Sequence, residues 1–233
     1  MSMTIVSPPQ RESASVPART QPWLAMSAVA ITWGALAFVV LHLLSGRNPF
    51  VDAVSYYAFT DDAPGLLAVS ILLVAVGSVT TLGALAAARV PLSRTTRVLF
   101  GLWSGGLALA AAFPVSYGEL SSELSGQIHQ YACVAAFLSM PAIGYSLLRR
   151  TRAIPALAGS HASLARWTHY SVASMVLFGA SYLLAKQPGI PALAELSSVL
   201  PVGLTQRVTL AVDIGVLYSI VRLARRAGTT PSH

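Results

Sequence analysis

Charge is the scarcest property of this sequence. Only 10% of its 233 residues are charged, whereas 55% are hydrophobic, and the mean hydropathy is +0.65. An ordinary soluble domain carries about 25% charged residues, because its surface needs a polar coat. The composition therefore excludes an ordinary soluble fold and indicates that lipid covers much of the molecule.

Cysteine and the common catalytic motifs are also lacking. Cys133 is the single cysteine, so the chain can form neither an internal disulfide nor a cysteine-based metal cluster. No phosphate-binding glycine loop, HExxH, GxSxG or Cys-His zinc spacing occurs. We therefore predict no metal and no cofactor. The net charge of +7 comes from basic residues that lie between apolar runs, a pattern that favours membrane topology over nucleic-acid binding.

Long apolar runs are what the sequence has in place of these features. A membrane-spanning helix needs about 20 largely apolar residues, and six such runs cover residues 23–45, 65–88, 98–115, 128–148, 164–184 and 202–223. We predict an all-α integral membrane bundle of six transmembrane helices within residues 23–226. Residues 1–22 are expected to form a disordered cytoplasmic tail, and residues 227–233 a second cytoplasmic tail.

The basic residues predict the orientation of this bundle. Twelve of the fifteen Lys and Arg residues fall in the two termini and in alternate connections, and such an excess marks the cytoplasmic side. The other side has only Arg47, Lys186 and Arg207. We predict a multi-pass protein of the cytoplasmic membrane with both termini in the cytoplasm.

Asp213 is the most unusual residue of the apolar runs. If the last helix enters the bilayer near residue 202 and rises about 1.5 Å per residue, Asp213 lies about 15 Å deep. An ionisable group there costs about 2.5–3.5 kcal/mol and normally faces the protein interior. We expect Gln206, Thr209 and Asp213 to share one helical face as a polar stripe. The alternative is a helix–helix hydrogen bond or an ion pair with Arg207.

Two further features lie on the predicted outer side. His129, within SGQIHQYAC, opens the fourth span beside Tyr131, and histidine is readily tuned to titrate near neutrality; its alternative role is structural. The first outer loop, GRNPFVDAVSYYAFTDDAPG, follows His42 and contains Asp52 and paired tyrosines. We expect this loop to fold over the outer mouth of the bundle. Alternatively, its tyrosines are interfacial anchors and its Asp-Asp pair caps the next helix.

These motifs, taken in order, resemble a known family. NPFVDAVSYYA after the first span, FP closing the third, GQIHQYA opening the fourth and GLTQRVTLAVD leading the sixth resemble the bacterial membrane family, common in actinobacteria, that is catalogued as domain of unknown function 998. The resemblance covers residues 23–222 approximately and implies a six-helix bundle, but it implies little about activity. The positions that match the polar motifs of the family are Asp52, Tyr56, His129, Gln206 and Arg207.

The first functional hypothesis is an intramembrane enzyme of the terpene-cyclase type. A protonated carboxylic acid in an apolar pocket can deliver a proton to a lipid-like or isoprenoid substrate, and aromatic faces can stabilise the resulting cation. Asp213 is the predicted proton donor. The residues expected to assist it are His129, Asp52 and Glu119, and the predicted substrate-binding residues are His42, Tyr56, Tyr57, Tyr131, Gln206, Arg207 and Trp103.

The second hypothesis is a protein without catalysis. It is a small transporter, a proton-coupled carrier or an accessory membrane subunit, and a central polar stripe suits it as well. Under either hypothesis the predicted partners are membrane lipid and a hydrophobic small molecule. The sequence leaves the oligomeric state open.

Overall fold

The computed structural model of the protein describes residues 18–61, 63–116, 122–187 and 191–229, and for residues 191–194 the backbone alone. All regular structure in these residues is helical, which confirms the all-α prediction. The α-helices are α1 Gln21–Leu44, α2 Leu66–Ala87, α3 Arg94–Ala112, α4 Glu123–Thr151, α5 Ala158–Ala185, α6 Pro191–Val199 and α7 Val202–Thr229, and short 3-10 helices cover Val54–Phe59 and Pro155–Leu157.

Each predicted span coincides with one of the long helices, with bounds that differ by a few residues. Helix α6 was not predicted from the sequence, which indicated only a connection between the fifth and sixth spans. Helix α7 continues to Thr229, three residues into the predicted C-terminal tail. The first seventeen residues of the predicted N-terminal tail lie outside the described part of the chain.

Small and hydroxyl-bearing residues bring neighbouring helices together. In the antiparallel pair α1 and α2, the Ser27 hydroxyl donates to the Gly77 carbonyl (2.8 Å) and the Ser70 hydroxyl donates to the Gly34 carbonyl (2.7 Å). Such contacts are typical of helix packing in lipid, where small residues allow close approach and hydroxyls bond across the interface. Helices α3 with α4, and α5 with α7, form two more antiparallel pairs.

The composition of the helices identifies a helical membrane protein. Helices α1, α2 and α4 are each long and apolar enough to cross a bilayer. Large apolar side chains along the helices are exposed, such as Val29 (56%), Trp33 (58%) and Val176 (62%). A water-soluble surface of this kind would be an aggregation hazard, whereas lipid solvates it.

Two ends of the bundle differ in composition. We call the end where α1 stops and α7 starts the loop end, since it holds the connection at residues 45–65. The opposite end holds the α2–α3 and α4–α5 connections and the end of α7. We call it the basic end, because Arg94, Arg149, Arg150 and Arg225 are among the arginines that it exposes.

Gly106 provides a test of the packing between α3 and α4. A Cβ atom at this position would lie 2.7 Å from the Ala132 carbonyl oxygen, whereas a Cβ at Gly105 would have nothing within 4 Å. We expect Gly106→Ala to reduce the free energy of unfolding in mixed micelles by about 1–3 kcal/mol, because the helices must separate. Gly105→Ala is the control and should be neutral or slightly stabilising. Equal stability of the two variants would contradict close α3–α4 packing.

Candidate functional site

The connection between α1 and α2 folds back onto the first turn of α7. The Leu204 amide donates to the Phe50 carbonyl (2.9 Å). A Cβ at Gly203 would lie 2.6 Å from the Asp52 carbonyl oxygen and 2.7 Å from that of Phe50, so only glycine permits this approach. The predicted folding of this loop over the mouth of the bundle is thus present in the structure.

Gln206 attaches the same loop one turn further along α7. Its Oε1 accepts a hydrogen bond from the Val54 amide (2.8 Å), at the start of the 3-10 helix Val54–Phe59. Val54 and Tyr57 are buried against Leu41 of α1 and Leu67 of α2. The loop is therefore a packed cover with its own small hydrophobic core.

Arg207 lies at the centre of a group of neutral acceptors. Its Nε–H donates to Nε2 of His42 (2.6 Å), and one Nη2–H donates to the Tyr57 hydroxyl (2.7 Å). Both N–H groups of Nη1 are used, by the carbonyls of Asp52 and Gly203 (2.8 Å each). No carboxylate of the described residues forms an ion pair with this guanidinium. Of its five N–H donors, one on Nη2 has no partner within the described chain.

His42 is positioned by α1 to accept from Arg207. Its Nδ1–H donates to the Phe38 carbonyl (2.7 Å), which leaves Nε2 as the acceptor for the guanidinium. The ring also lies edge-on to Phe38 and Tyr57, with centroids 4.4 Å and 4.9 Å apart. We refer to Arg207, His42, Tyr57 and the Asp52 carbonyl as the Arg207 cluster; it ties α1, the loop and α7 together.

The side chains of Asp52 and Tyr56, which were predicted to act on or bind a substrate, do not line the internal cavity of the bundle. The Asp52 carboxylate accepts from the Asn48 amide (3.0 Å) within the loop, so only its backbone carbonyl reaches Arg207. Tyr56 is half-buried and, within the described chain, does not line the cavity described next. Both residues shape the cover rather than the interior.

An internal cavity of about 340 Å³ lies below this cover. That volume is near the lower end of ligand sites, which measure about 300–1,000 Å³. Its walls are mainly apolar and come from α1, α2, α3, α4, α7 and the loop. The polar side chains in the walls are Ser55, Ser70, Trp103, His129, Cys133, Gln206 and Arg207.

The cavity reaches the surface of the bundle between α1 and α7. Val39 and Ala211 line it and are also exposed. The Arg207 cluster bridges the two helices on the loop-end side of this opening. On the other side, the hydroxyls of Thr32 and Tyr218 share a hydrogen bond of 2.6 Å. Since Thr32 and His42 are ten residues apart, the opening is framed over about 15 Å of helix.

His129 is buried, and it lines the cavity. Its Nδ1–H donates to the carbonyls of Phe113 (2.8 Å) and Ala110 (3.0 Å) at the end of α3. Those are carbonyls that a helix end leaves unpaired, so the structural alternative for His129 is also present. Nε2 then accepts from the Cys133 thiol at 3.5 Å. In this tautomer the cavity side of the ring is a base rather than a proton donor.

Two aromatic residues that were predicted to bind a substrate, Trp103 and Tyr131, lie in different environments. Trp103 is 1% exposed and lines the cavity, and its indole N–H has no hydrogen-bond partner in the described chain. Tyr131, in contrast, is 73% exposed and points away from the cavity. Tyr131 lies only two residues after His129, a separation that turns the side chains to different sides of a helix.

Asp213 is buried, as expected, but it faces α5 rather than the cavity. Oδ1 accepts from the Ser171 hydroxyl (2.6 Å), and Oδ2 has no partner in the described chain. One and two turns back, Thr209 donates to the Ser174 carbonyl (3.0 Å) and Thr205 meets the Ser181 hydroxyl (2.6 Å). We call these residues the α5–α7 seam.

The expected polar stripe of Gln206, Thr209 and Asp213 is therefore divided. Thr209 and Asp213 lie in the α5–α7 seam, whereas Gln206 bonds the loop and lines the cavity. The ion pair between Asp213 and Arg207, left open by the sequence, is not formed. The helix–helix hydrogen bond is the alternative that the structure contains. Glu119, the fourth catalytic candidate, lies outside the described residues.

His42, Asp52 and His129, three candidates from the sequence, do not all come together. His42 and the Asp52 backbone meet at Arg207, but His129 is bonded to the end of α3. No group of three His, Cys, Asp or Glu residues within the described ranges can hold a metal ion.

Several wall residues carried no signal in the sequence. Phe38, Leu67, Ile71 and Leu210 line the cavity, yet in an apolar helix they are indistinguishable from lipid-facing residues. Gly203 did carry a signal, because a glycine at the start of a helix beside polar residues indicates a close backbone approach.

The fold and the site together define a helical membrane protein with an internal, mostly apolar cavity and a cationic cluster at one end of it. The chain belongs to the family described as "Protein of unknown function (DUF998)", which matches residues 28–221; this confirms the resemblance drawn from the motifs. No curated protein and no solved structure matches the chain.

Gly203 allows a test of the loop cover. A methyl group in Gly203→Ala must displace the backbone of the loop, which breaks the bonds to Leu204 and Gln206. We expect amide exchange across residues 48–60 to become about tenfold faster, since each hydrogen bond contributes about 0.5–1.5 kcal/mol. Gly179→Ala is the control, because a Cβ there would have nothing within 4 Å. Unchanged exchange in Gly203→Ala would contradict the docking described above.

Proposed function

We propose that this protein binds a lipid-like or isoprenoid molecule in its internal cavity, with the polar end of that molecule at the Arg207 cluster. The observation that carries the proposal is the junction of an apolar cavity with an arginine that has no carboxylate partner among the described residues. Such a site suits a ligand with an apolar tail and a negative or strongly polar head. The apolar walls leave few other positions for a polar group.

The opening between α1 and α7 supports entry from the bilayer. Val39 and Ala211, which border it, are apolar, so a lipid-like ligand can pass between the helices without leaving an apolar environment. Entry from water would instead require displacement of the packed loop. A single-chain ligand therefore has a lateral route that matches its own chemistry.

A six-fold crossing of the cytoplasmic membrane, with both termini in the cytoplasm, is part of this proposal. The long helices contain 19 to 29 residues, which corresponds to about 28–44 Å against a hydrocarbon core of about 30 Å. Helices α3, α5 and α7 are less apolar, and their polar residues lie mainly at the ends and in the α5–α7 seam. The clustered arginines would then face the cytoplasm, and the Arg207 cluster would face outwards.

A catalytic role remains a second candidate because of His129. Of the cavity-lining groups, His129 is best suited to move a proton, and Trp103 offers an aromatic face for a cationic intermediate. Acid catalysis of the terpene-cyclase type would need a second proton on Nε2, since Nδ1–H is engaged with α3. Binding or transport of the molecule without reaction needs no second proton on His129, and it is compatible with the apolar walls of the cavity.

The binding proposal is tested by filling the opening. The full chain, purified in mild detergent, should retain an enriched lipid-like species in mass spectrometry. Ala211→Phe places a ring at the mouth of the cavity and should reduce this retention at least tenfold. Val208→Phe is the matched control, because Val208 lies on α7 and is exposed, but within the described chain it is not part of the cavity wall.

Two added probes test which end of the ligand meets Arg207. Farnesyl diphosphate and farnesol share one apolar chain and differ in head group, so their ratio of dissociation constants reports on the cationic cluster. We expect the diphosphate to bind about tenfold more tightly or better, as charged hydrogen bonds contribute about 1.5–3 kcal/mol. Equal binding of both probes, or equal retention in both Phe variants, would count against the proposal.

The catalytic candidate needs a different pair of variants. In His129→Asn the amide nitrogen occupies nearly the position of Nδ1, so the bonds to α3 are kept while Nε2 is lost. If the protein converts the retained species, this variant should lose at least a hundredfold in rate, whereas Asp213→Asn should stay near the unmodified rate. The reverse result would move the chemistry to the α5–α7 seam, and no product with any variant would leave binding alone.

A further inference from the structure

A second concave site lies at the opposite end of the molecule from the Arg207 cluster. It is an open groove of about 720 Å³ between the start of α3 and the last turns of α4. We call it the basic groove. It shares none of its lining with the internal cavity. The residues that line it are Ser93, Thr95, Leu99, Ala142, Tyr145, Ser146, Arg149 and Arg150.

The positive charge of the basic groove has no negative partner in the part of the chain that the structure describes. Arg149 and Arg150 are exposed and form no hydrogen bond or ion pair with any residue that the structure describes. The acidic residues of the described chain lie elsewhere, at the loop end or in the α5–α7 seam: Asp52, Asp61, Glu123, Glu195 and Asp213. Two positive charges therefore stand at the rim, and no anion of the described residues neutralises them.

A hydroxyl group adds a hydrogen-bond donor on the α3 side of the rim. The Ser93 hydroxyl is engaged within the chain, where its oxygen accepts from the Thr96 amide (3.0 Å), whereas Thr95 is exposed beside it. The amide end of α3 carries a partial positive charge, which adds to that of Arg149 and Arg150. All three features favour an anion at the same place.

The floor of the basic groove is apolar and runs towards the middle of the bundle. Leu99, Ala142 and the exposed ring of Tyr145 form it. Ala142 and Arg149 are seven residues apart, which is about 10 Å along α4. The basic groove thus changes from cationic to apolar over a distance that matches the step from a lipid head group to its chains.

We propose that the basic groove binds one anionic phospholipid, with the phosphate between Arg149, Arg150 and the start of α3 and one acyl chain along Ala142 and Leu99. Arginines at a membrane surface attract anionic lipids through charge and directed hydrogen bonds to phosphate oxygens. A free phosphate would satisfy the rim but would leave the apolar floor uncovered. The site is independent of the ligand proposed for the internal cavity.

Native mass spectrometry of the full chain in detergent provides the test. Phosphatidylglycerol and phosphatidylcholine with identical chains are titrated, and the fraction of protein that retains one lipid is measured. We expect about tenfold preference for phosphatidylglycerol. Arg149→Gln with Arg150→Gln should abolish this preference. Arg222→Gln with Arg225→Gln removes the same charge from exposed positions at the same end and should leave it in place.

A third variant separates the floor from the rim. Ala142→Phe keeps both arginines but fills the apolar part, and it should reduce phosphatidylglycerol retention several-fold. No loss in Ala142→Phe, or displacement of the lipid by inorganic phosphate at equal concentration, would overturn the lipid proposal in favour of a simple anion. If both double arginine variants lose the phosphatidylglycerol preference equally, the proposed site would be overturned in favour of a general attraction between the basic end and anionic lipid.

Discussion

The arrangement at the loop end depends on one cation with neutral partners. Arg207 is partly withdrawn from solvent, and its acceptors in the described chain are an imidazole, a phenol and two carbonyls, with no carboxylate among them. A charge in such a place is costly unless its donors are satisfied, so the loop and α1 are held where they supply acceptors. Solvation of this guanidinium therefore helps to hold the roof of the cavity in place, together with the buried contacts of Val54 and Tyr57.

Helix α7 supports two different environments along its length. One side pairs hydroxyls and Asp213 with α5, and the other side carries Gln206, Arg207 and Leu210 towards the cavity. The hydrogen bonds of the α5–α7 seam stabilise the contact between these two helices. In lipid the hydrophobic effect does not drive helices together, so interhelical hydrogen bonds contribute to their association instead. Asp213 has a structural explanation in this position, since it bonds α5 and does not line the cavity.

The sequence was sufficient to predict the six long helices, the loop that covers the bundle and most residues of the Arg207 cluster, but not helix α6. Apolar runs of bilayer length identify helices directly, and polar residues such as Gln206 and Arg207 stand out because they are rare there. The cavity could not be predicted, because its shape depends on how five helices pack against one another. Its walls are ordinary apolar residues. The sequence also did not show which neighbouring helix the Asp213 side of α7 faces. Gln206 and Asp213 are seven residues apart, about 20° of rotation, and that small angle falls on the boundary between two neighbours of α7.

Under the proposed function, the ligand is selected at the Arg207 cluster rather than along the apolar walls. In water, an apolar cavity gains affinity by removing a ligand from its hydration shell. In a bilayer the acyl chains are as apolar as the side chains that would replace them, so transfer of a tail into this cavity yields little net free energy. Shape and head group are the remaining sources of selectivity, and the Arg207 N–H that has no partner in the described chain is a cationic donor in the walls. A molecule that prefers this cavity to the surrounding lipid must therefore be recognised by its polar end.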